Sequence, residues 1–206
     1  MYKLNKELSE LIGIIIGDGN IYYNPKLRKY FFEITGDPKL EKEYFEYIST
    51  LIQKILNKKC SARIGGRGLR LRVYSKDFVE FLINEIKLPY GKKSEIITIP
   101  NKINNWNLIK PCIRGITDTD GSLFLSKKGN NLNYPAIEIS TNSKFLAFQI
   151  KEFLKDKLRI RLRKFSKIGL NDKYVVSVNG VEMVKKWIKE IGFSNKRKLM
   201  RMSKFY

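Results

Sequence analysis

The hydrophobic and polar positions of the chain follow two patterns that occur twice in the same order. Apolar runs spaced as in a helix, such as LIGIII at residues 11–16, are followed by stretches in which apolar and polar residues alternate, as in strands. The order is helix, two strands, helix, two strands, helix, and it then begins again. This order predicts an α+β chain of two pseudo-symmetric αββαββα halves, each with a four-stranded antiparallel sheet.

The two halves also correspond in sequence at a nearly constant offset. Residues 11–19, LIGIIIGDG, match residues 113–121, IRGITDTDG, and the strand segment FEI at residues 32–34 matches IEI at residues 137–139. A proline- and asparagine-rich stretch, PNKINNWNLIKP, lies between the halves and has the composition of a linker. We therefore predict a first half over residues 1–100, a linker over 101–110 and a second half over 111–206.

Each apolar motif ends in an acidic residue followed by glycine. Within the motifs, small residues recur four positions apart: Gly13 and Gly17 in the first, Gly115 and Thr119 in the second. Small residues at this spacing share one helix face and let two helix backbones approach closely. We expect the two motif helices to pack along this face, so that Asp18 and Asp120 lie side by side at the helix ends.

Two carboxylates in these places are unfavourable unless a cation joins them. Each faces the negative end of its helix dipole, at a cost of roughly 0.3–1 kcal/mol, and the two repel each other. A divalent cation between them reverses the sign of both effects. For one motif alone, an ordinary turn in which glycine ends a helix is the simpler explanation. The repeat favours a metal site formed by Asp18 and Asp120.

The composition points to a polyanionic partner and an intracellular protein. The formal net charge is +21 over 206 residues, which favours nucleic acid as the partner. A membrane is not expected, because the apolar runs are too short to span one and no signal peptide is visible. Two cysteines argue against a disulfide framework, and the absence of histidine excludes zinc fingers and histidine-dependent nuclease chemistry. We expect the cytoplasm of a prokaryote or an organelle, not secretion.

Alternating basic and apolar residues predict a nucleic-acid-reading face on each sheet. In LRLRVY, at residues 69–74, and in RIRLRKF, at residues 159–165, the basic residues point away from the apolar face. Such a strand pair can enter the major groove, where arginine binds guanine through two hydrogen bonds. Charged protection of a solvated sheet edge is the alternative. The predicted DNA-binding residues are Arg28, Lys29, Tyr30, Arg63, Arg67, Arg70, Arg72, Tyr74, Lys127, Lys128, Arg159, Arg161 and Arg163.

With the paired motifs in this context, the sequence resembles the LAGLIDADG homing endonucleases in their single-chain form, over nearly the whole chain. The resemblance implies a saddle of two halves with the motif helices at their interface. It implies a monomer that recognises a long site in double-stranded DNA and hydrolyses one phosphodiester in each strand. As the last acids of the motifs, Asp18 and Asp120 would bind Mg²⁺. Mn²⁺ is expected to substitute and Ca²⁺ to support binding only.

The resemblance also implies further site residues. The backbone carbonyls of Gly17 and Thr119 are predicted as additional metal ligands. The family places one basic residue in each active site late in each half, where a lysine neutralises charge that develops on the phosphate. The candidates are Lys92 or Lys93 in the first half and Lys196 or Lys198 in the second.

Two features depart from the family pattern. The sixth motif position, which is structural in the family, is Ile16 in the first copy and Asp118 in the second. We therefore do not assign Asp118 to catalysis. Related enzymes often carry a glutamine just after the first long strand. Here the corresponding segments are TGD and STN, so that Asp37 and Asn142 become the candidates to order water.

Two alternative functions stay open. The first is an RNA maturase of the same fold, for which the host intron RNA would be a partner. The second is a transcription regulator that binds DNA without cutting it. Because both motif acids are present, the sequence favours the endonuclease, which we expect to be encoded within an intron or another mobile element.

Overall fold

The computed structural model describes residues 2–66, 68–129, 131–166, 169 and 171–202. The first half contains α1 (Lys6–Ile16), β1 (Gly19–Asn24), β2 (Lys29–Gly36), α2 (Lys42–Leu56), β3 (Arg63–Gly65), β4 (Gly68–Tyr74) and α3 (Lys76–Asn84). The second contains α4 (Trp106–Asp120), β5 (Gly121–Lys128), β6 (Asn131–Thr141), α5 (Lys144–Leu154), β7 (Ile160–Phe165), β8 (Lys173–Asn179), α6 (Val181–Glu190) and α7 (Lys196–Met202). The predicted α+β class and the repeated αββαββα order are confirmed, and α7 is an addition to the second half.

The two sheets have the same topology. Their strand orders are β1-β2-β4-β3 and β5-β6-β8-β7, and all neighbouring strands are antiparallel. Gly36 pairs with Leu69 in the first sheet, and Thr141 pairs with Tyr174 in the second. Because the same offset along the chain separates both members of these pairs, positions in one half can be matched to positions in the other.

One face of each sheet is covered by helices and the other is open. In β4 the residues alternate: Leu69, Leu71 and Val73 are buried, whereas Arg70, Arg72 and Tyr74 are exposed. Helices α2 and α3 pack on the first sheet, and α5 and α6 pack on the second. The period-two pattern therefore places the apolar residues under the helices and the basic residues on the open face.

Helices α1 and α4 pack against each other at backbone contact, as the motif spacing predicts. A Cβ atom at Gly13 would lie 2.1 Å from the Cys112 carbonyl oxygen, and one at Gly115 would lie 2.4 Å from the Glu10 carbonyl oxygen. Any side chain at either position would force the helices apart. Glycine at these two places therefore sets the distance between the halves.

The predicted linker is wrong in part. Helix α4 begins at Trp106, so that residues 106–110 are its first turn, and Pro111 lies inside the helix. Tertiary packing outweighs the low helix propensity of proline, since Ile109 and Pro111 are both buried. The basic stretch at residues 196–202 is also a helix, and its start is fixed by the Asn195 side chain, which accepts the Arg197 N–H at 3.2 Å. Among the residues described, no helix is long and apolar enough to cross a membrane.

Candidate active site

The two motif acids lie at the adjoining ends of α1 and α4. Asp18 follows Gly17, which ends α1, and Asp120 is the last residue of α4. A Cβ atom at Gly17 would lie 1.9 Å from the Thr119 hydroxyl and 3.4 Å from an Asp120 carboxylate oxygen. The Asp18 carbonyl accepts the Thr35 N–H at 3.3 Å, which fixes the turn from α1 into β1. The small residues of the interface thus bring the second acid against the end of the first helix.

Both carboxylates are unfavourable as anions in this arrangement. The pKa of Asp18 is raised from its usual 3.8 to about 7, by burial first and then by the charges of Asp120 and Glu41, against the charges of Lys93 and Lys198. Burial also raises the pKa of Asp120, and the positive charges of three lysines oppose this rise. The site therefore holds negative charge that the surrounding protein neutralises only in part.

The stability of the protein is expected to depend on pH through Asp18. The pKa of Asp18 is higher in the folded protein than in the unfolded chain. The stabilisation that protonated Asp18 gives to the folded state is therefore fully present below about pH 4 and is lost as the pH rises to about 7. Asparagine imitates the protonated acid at every pH. In chelator, the unfolding free energy of the wild type should fall relative to Asp18→Asn over this interval, measured by urea denaturation. Parallel curves for the two proteins would refute the shifted pKa.

The residues present fit a hard divalent cation. Carboxylate oxygens are the ligands that Mg²⁺ prefers, and Mg²⁺ is commonly held by one or two carboxylates together with substrate phosphates. In the part of the chain that the structure describes, no group of three or more His, Cys, Asp or Glu residues could hold a metal by itself. The Gly17 carbonyl, a predicted ligand, accepts a 2.9 Å hydrogen bond from the Lys93 ammonium, which competes with a cation for that oxygen. Asp18 and Asp120 are therefore the principal ligands that this site offers.

Lys93 is held beneath the end of α1. Its ammonium donates to the carbonyls of Ile15, Ile16 and Gly17 at 2.5, 2.6 and 2.9 Å. These three bonds use all of its donors and satisfy carbonyls that have no partner within the helix. Burial lowers the pKa of Lys93 from 10.5 to about 8, and Asp120 and then Asp18 oppose this effect. Lys93 is thus a partly buried cation, and among the carboxylates that act on it Asp120, the acid of the other half, has the largest effect.

Lys198 occupies the equivalent place at the end of α4. It comes from α7, is buried, and donates to the carbonyls of Thr117 and Gly121, the latter at 2.7 Å. Burial lowers its pKa to about 8, mainly against the attraction of Asp118, with Glu41 and Asp18 acting in the same direction as Asp118. At the end of each motif helix, the ammonium group of one lysine therefore binds backbone carbonyls, and Lys198 is the more deeply buried of the two.

The other two candidate lysines lie in solvent. Lys92 is exposed and lies 3.8 Å from Glu95, and Lys196 is exposed and pairs with Glu43 at 2.5 Å. Neither contacts the ends of the motif helices. Between the alternatives that the sequence left open, the structure favours Lys93 over Lys92 and Lys198 over Lys196.

The segments that carry Lys93 and Lys198 also connect the halves. After Lys93, the Ile97 carbonyl accepts from the Ser143 hydroxyl of the second half at 2.7 Å. Before Lys198, the Ser194 hydroxyl donates to Glu10 of the first half at 2.5 Å. The placement of each lysine thus depends on the contact between the halves.

A buried polar network, which the sequence did not reveal, holds this interface. Glu10 of α1 is 2% exposed and pairs with Arg114 of α4, and it also accepts from Tyr47 at 2.9 Å. Asp118 is fully buried and accepts the Ser194 N–H at 2.7 Å. Asp118 therefore anchors the segment that leads to α7, in keeping with a structural sixth motif position. No periodicity signals Glu10, because it interrupts an apolar helix face.

Of the two residues considered for water positioning, only one is free to act. The Asp37 carboxylate accepts the N–H groups of Lys39 and Leu40 at 2.8 and 3.0 Å, which commits it to the turn before α2. Asn142 is exposed and lines a cavity of about 380 Å³ together with Asp120. The structure adds Glu41 beside Asp18 and Lys173 in the cavity with Asp120, and neither was identified from the sequence.

Most of the predicted DNA-binding residues lie in solvent, and several line the open faces. The exposed residues are Arg28, Lys29, Arg63, Arg70, Arg72, Tyr74, Lys127, Lys128, Arg159, Arg161 and Arg163. Tyr30 is a correction: it alternates with Lys29 and Phe31, so that it lies on the helix-covered face, against Tyr23 at 5.4 Å. Arg67 lies outside the described residues.

The arginines of the open faces differ in their partners. The Arg72 guanidinium donates to Glu33 at 2.7 Å and lies 4.4 Å from the centre of the Phe31 ring. Arg163 pairs in the same way with Glu138. Arg70 and Arg161 form no ion pair within the described chain, and their donors are available to a ligand.

The two open faces are not chemically equivalent. Arg70 and Arg72 lie on β4, which is a central strand, whereas Arg161 and Arg163 lie on the edge strand β7. In the second sheet the strand equivalent to β4 is β8. Its residues Val175 and Ser177, which pair with Arg163 and Arg161 of β7, are not basic. The sequence motifs LRLRVY and RIRLRKF look alike but therefore occupy different strands.

Sequence comparison finds distant relatives and no matching family model. An uncharacterized protein of Methanocaldococcus jannaschii, MJ0398, is 25% identical over 216 residues, which cover 96% of this chain and 70% of the relative. The replication factor C small subunit of Thermococcus kodakarensis is 28% identical over 199 residues, which cover 96% of this chain. The chain spans only 21% of the length of that second relative.

Structure comparison covers almost the whole chain. The structure of I-DmoI in complex with DNA and Mn has a TM-score of 0.68 at 19% identity, and the match covers 93% of this chain and 99% of that one. The homing endonuclease I-WcaI bound to its DNA recognition sequence has a TM-score of 0.64 at 14% identity, with 97% and 88% coverage. Full-length DUF199/WhiA from Thermatoga maritima has a TM-score of 0.56 at 13% identity, with 97% and 60% coverage.

Proposed function

Because the chain has the fold of the single-chain LAGLIDADG homing endonucleases, we propose that it is a site-specific DNA endonuclease that acts as a monomer with Mg²⁺. It hydrolyses one phosphodiester in each strand of a long duplex target. The observation that carries the proposal is the meeting of two partly buried carboxylates, Asp18 and Asp120, at the ends of helices in backbone contact. Each half supplies one acid, so a single chain contains both.

The protein groups divide the work of hydrolysis. Divalent ions at the two sites, one held mainly by Asp18 and the other mainly by Asp120, would activate water and neutralise charge on the phosphate. Lys93 and Lys198 oppose the rise in the pKa of Asp18 and of Asp120, which favours the ionised form that binds a cation. Their positive charge also attracts the phosphate that must approach two carboxylates. The lysines thus permit an acidic site to bind a polyanion.

Each of the two sites combines groups from both halves. Asp120 is the strongest carboxylate partner of Lys93, and Asp18 is the motif acid that acts on Lys198 most. We assign Asp120 with Lys93 to one strand of the target and Asp18 with Lys198 to the other. Disruption of the contact between the halves would therefore impair both sites at once.

The open faces of the two sheets supply the DNA-binding surface of the proposed enzyme. Arg70 and Arg161 have available donors and are the candidates to read base edges in the major groove. Arg72 and Arg163, held by Glu33 and Glu138, are preorganised for a single contact. Because the arginines occupy different strands in the two halves, the target is expected to lack twofold symmetry.

Arg70→Ala is expected to reduce target binding by about 1–3 kcal/mol and to relax specificity at one or two base pairs. Lys29→Ala is the matched control. If Lys29 contacts only phosphate, its loss should weaken binding to all sequences alike and reduce the salt slope by about one unit. Binding to a library of singly substituted targets at two salt concentrations separates the two effects. An Arg70→Ala variant with unchanged preference at every base pair would remove this strand from the reading surface.

The proposed function is tested by selection followed by cleavage. Long random duplexes are captured in Ca²⁺, and the bound pool is then incubated in Mg²⁺ or in chelator, with sequencing of the cut ends. The proposal requires ends in both strands at one sequence, in Mg²⁺ only. A duplex that is bound tightly but never cut would instead identify a regulator. Preference for structured RNA over any duplex would identify a maturase.

A further inference from the structure

Resting on the proposed endonuclease, we propose that the two sites are unequal. Lys173 contacts the scissile phosphate on the Asp120 side, has no counterpart among the described residues on the Asp18 side, and causes the strand bound at Asp120 to be cut first.

The position of Lys173 suits contact with a phosphate. It is the first residue of β8 and lies opposite Phe165 of β7. It alternates with the buried Tyr174, so that it lies on the open face, where the DNA is expected. It is exposed and lines the same cavity as Asp120, and its charge acts on the Asp120 carboxylate. In the described part of the chain no carboxylate lies within ion-pair distance of its ammonium.

The sheet register shows that this lysine is present only once. Lys173 precedes Tyr174, which pairs with Thr141, and Gly68 precedes Leu69, which pairs with Gly36. The position equivalent to Lys173 in the first half is therefore Gly68, which has no side chain. Within the part of the chain that the structure describes, the Asp18 side therefore has no cation at this point of its sheet.

An acidic residue adds to the difference on the other side. Glu41, the residue before α2, accepts the Asp37 N–H at 2.9 Å, and its charge acts on Asp18. The residue in the same place before α5 is Ser143, which is neutral and buried. Arg197 lies 3.8 Å from Glu41 and offsets its charge. The Asp120 side thus carries the charge of Lys173, which has no ion-pair partner in the described chain, whereas on the Asp18 side Glu41 and Arg197 offset each other.

This difference in charge lowers the barrier to hydrolysis for one strand of the target. In hydrolysis, a water oxygen forms a bond to phosphorus, the bond from phosphorus to one ester oxygen breaks, and that oxygen receives a proton. A second proton is released to solvent. Negative charge grows on the phosphate oxygens before the bond breaks, and a nearby ammonium stabilises that charge. The strand at Asp120 therefore has the lower barrier.

Strand-resolved kinetics test this inference. The selected duplex carries a different dye on each strand, and single-turnover cleavage is started with Mg²⁺. For the wild type we expect a nicked intermediate that is always cut in the same strand. Lys173→Met should slow that strand on the order of ten-fold and leave the other strand nearly unchanged, and Lys173→Arg should restore much of the rate. Lys186→Met, an exposed change on α6, is the control and should alter neither strand.

The outcomes distinguish this inference from the proposed function. If the wild type cuts no strand of a duplex that it binds, the endonuclease proposal fails. If it cuts both strands at equal rates, or if Lys173→Met slows both strands alike, the endonuclease stands and the inequality of the sites is refuted. Thermal unfolding of Lys173→Met, expected to match the wild type because the side chain is exposed, excludes a folding effect.

Discussion

Asp18→Asn and Asp120→Asn are each expected to reduce double-strand cleavage by at least about 100-fold while target binding in Ca²⁺ persists. The amide keeps the shape of the carboxylate but lacks the charge that holds a cation. Removal of one negative charge near phosphate favours binding if it has any effect. Single-turnover cleavage and equilibrium binding on the selected duplex measure the two quantities. Asp156→Asn, an exposed change between α5 and β7, is the control and should cleave like the wild type.

A gain in stability should accompany this loss of activity. Both acids are partly buried at helix C-termini and have raised pKa values, so their neutralisation removes an unfavourable charge from the folded state. In chelator near neutral pH, either variant should unfold at a higher urea concentration than the wild type. A variant that is less stable and inactive would indicate a structural role for the acid. Full double-strand activity in either variant would contradict the assignment.

Gly13→Ala and Gly115→Ala are expected to destabilise the protein by about 1–3 kcal/mol each and to impair cleavage. The added Cβ would lie 2.1 or 2.4 Å from a carbonyl oxygen of the facing helix, so that the helices must separate. The sign of the change in stability separates a packed position from an unpacked one, because alanine in an unpacked helix position is more favourable than glycine by about 1 kcal/mol. Urea unfolding measures the stability, and the same strand-resolved assay measures the effect on both sites.

Gly68→Ala is the matched control for the helix interface. Its Cβ would lie 3.5 Å from the Gly36 carbonyl oxygen, which is an ordinary contact, and Gly68 is outside the interface between the halves. We expect its stability and cleavage to remain near those of the wild type. Equal effects of Gly13→Ala and Gly68→Ala would show that the close contact of α1 and α4 does not position the acids.

The sequence predicts those features of the fold that depend on local periodicity. The alternation in LRLRVY locates the open face of β4, and the four-residue spacing of small residues locates the face along which α1 and α4 meet. These patterns succeed because each follows from the geometry of one strand or one helix. Tyr30 shows the limit of this approach. In β2 the neighbouring residues Tyr30 and Phe31 are both aromatic and lie on opposite faces, so residue type alone does not indicate which face each occupies.

Features that depend on the meeting of distant segments are not predictable in this way. Lys92 and Lys93 are chemically identical neighbours, and the loop that begins at Gly91, whose φ is +72°, turns only the second one beneath α1. Glu41 and Lys173 reach the site through loop length and strand register, which no motif encodes. The linker boundary is misplaced because the packing of α4 decides its start, against the propensity of Pro111.

The measurement that tests the central claim most directly is anomalous diffraction from a crystal of the protein bound to its selected duplex in Mn²⁺. Asp18 and Asp120 are proposed as the metal ligands of two sites, each with one acid and one lysine. We predict anomalous density in contact with both carboxylates and with the phosphates between them. Density that is absent, or that lies elsewhere while the DNA is bound across both sheets, would contradict the account.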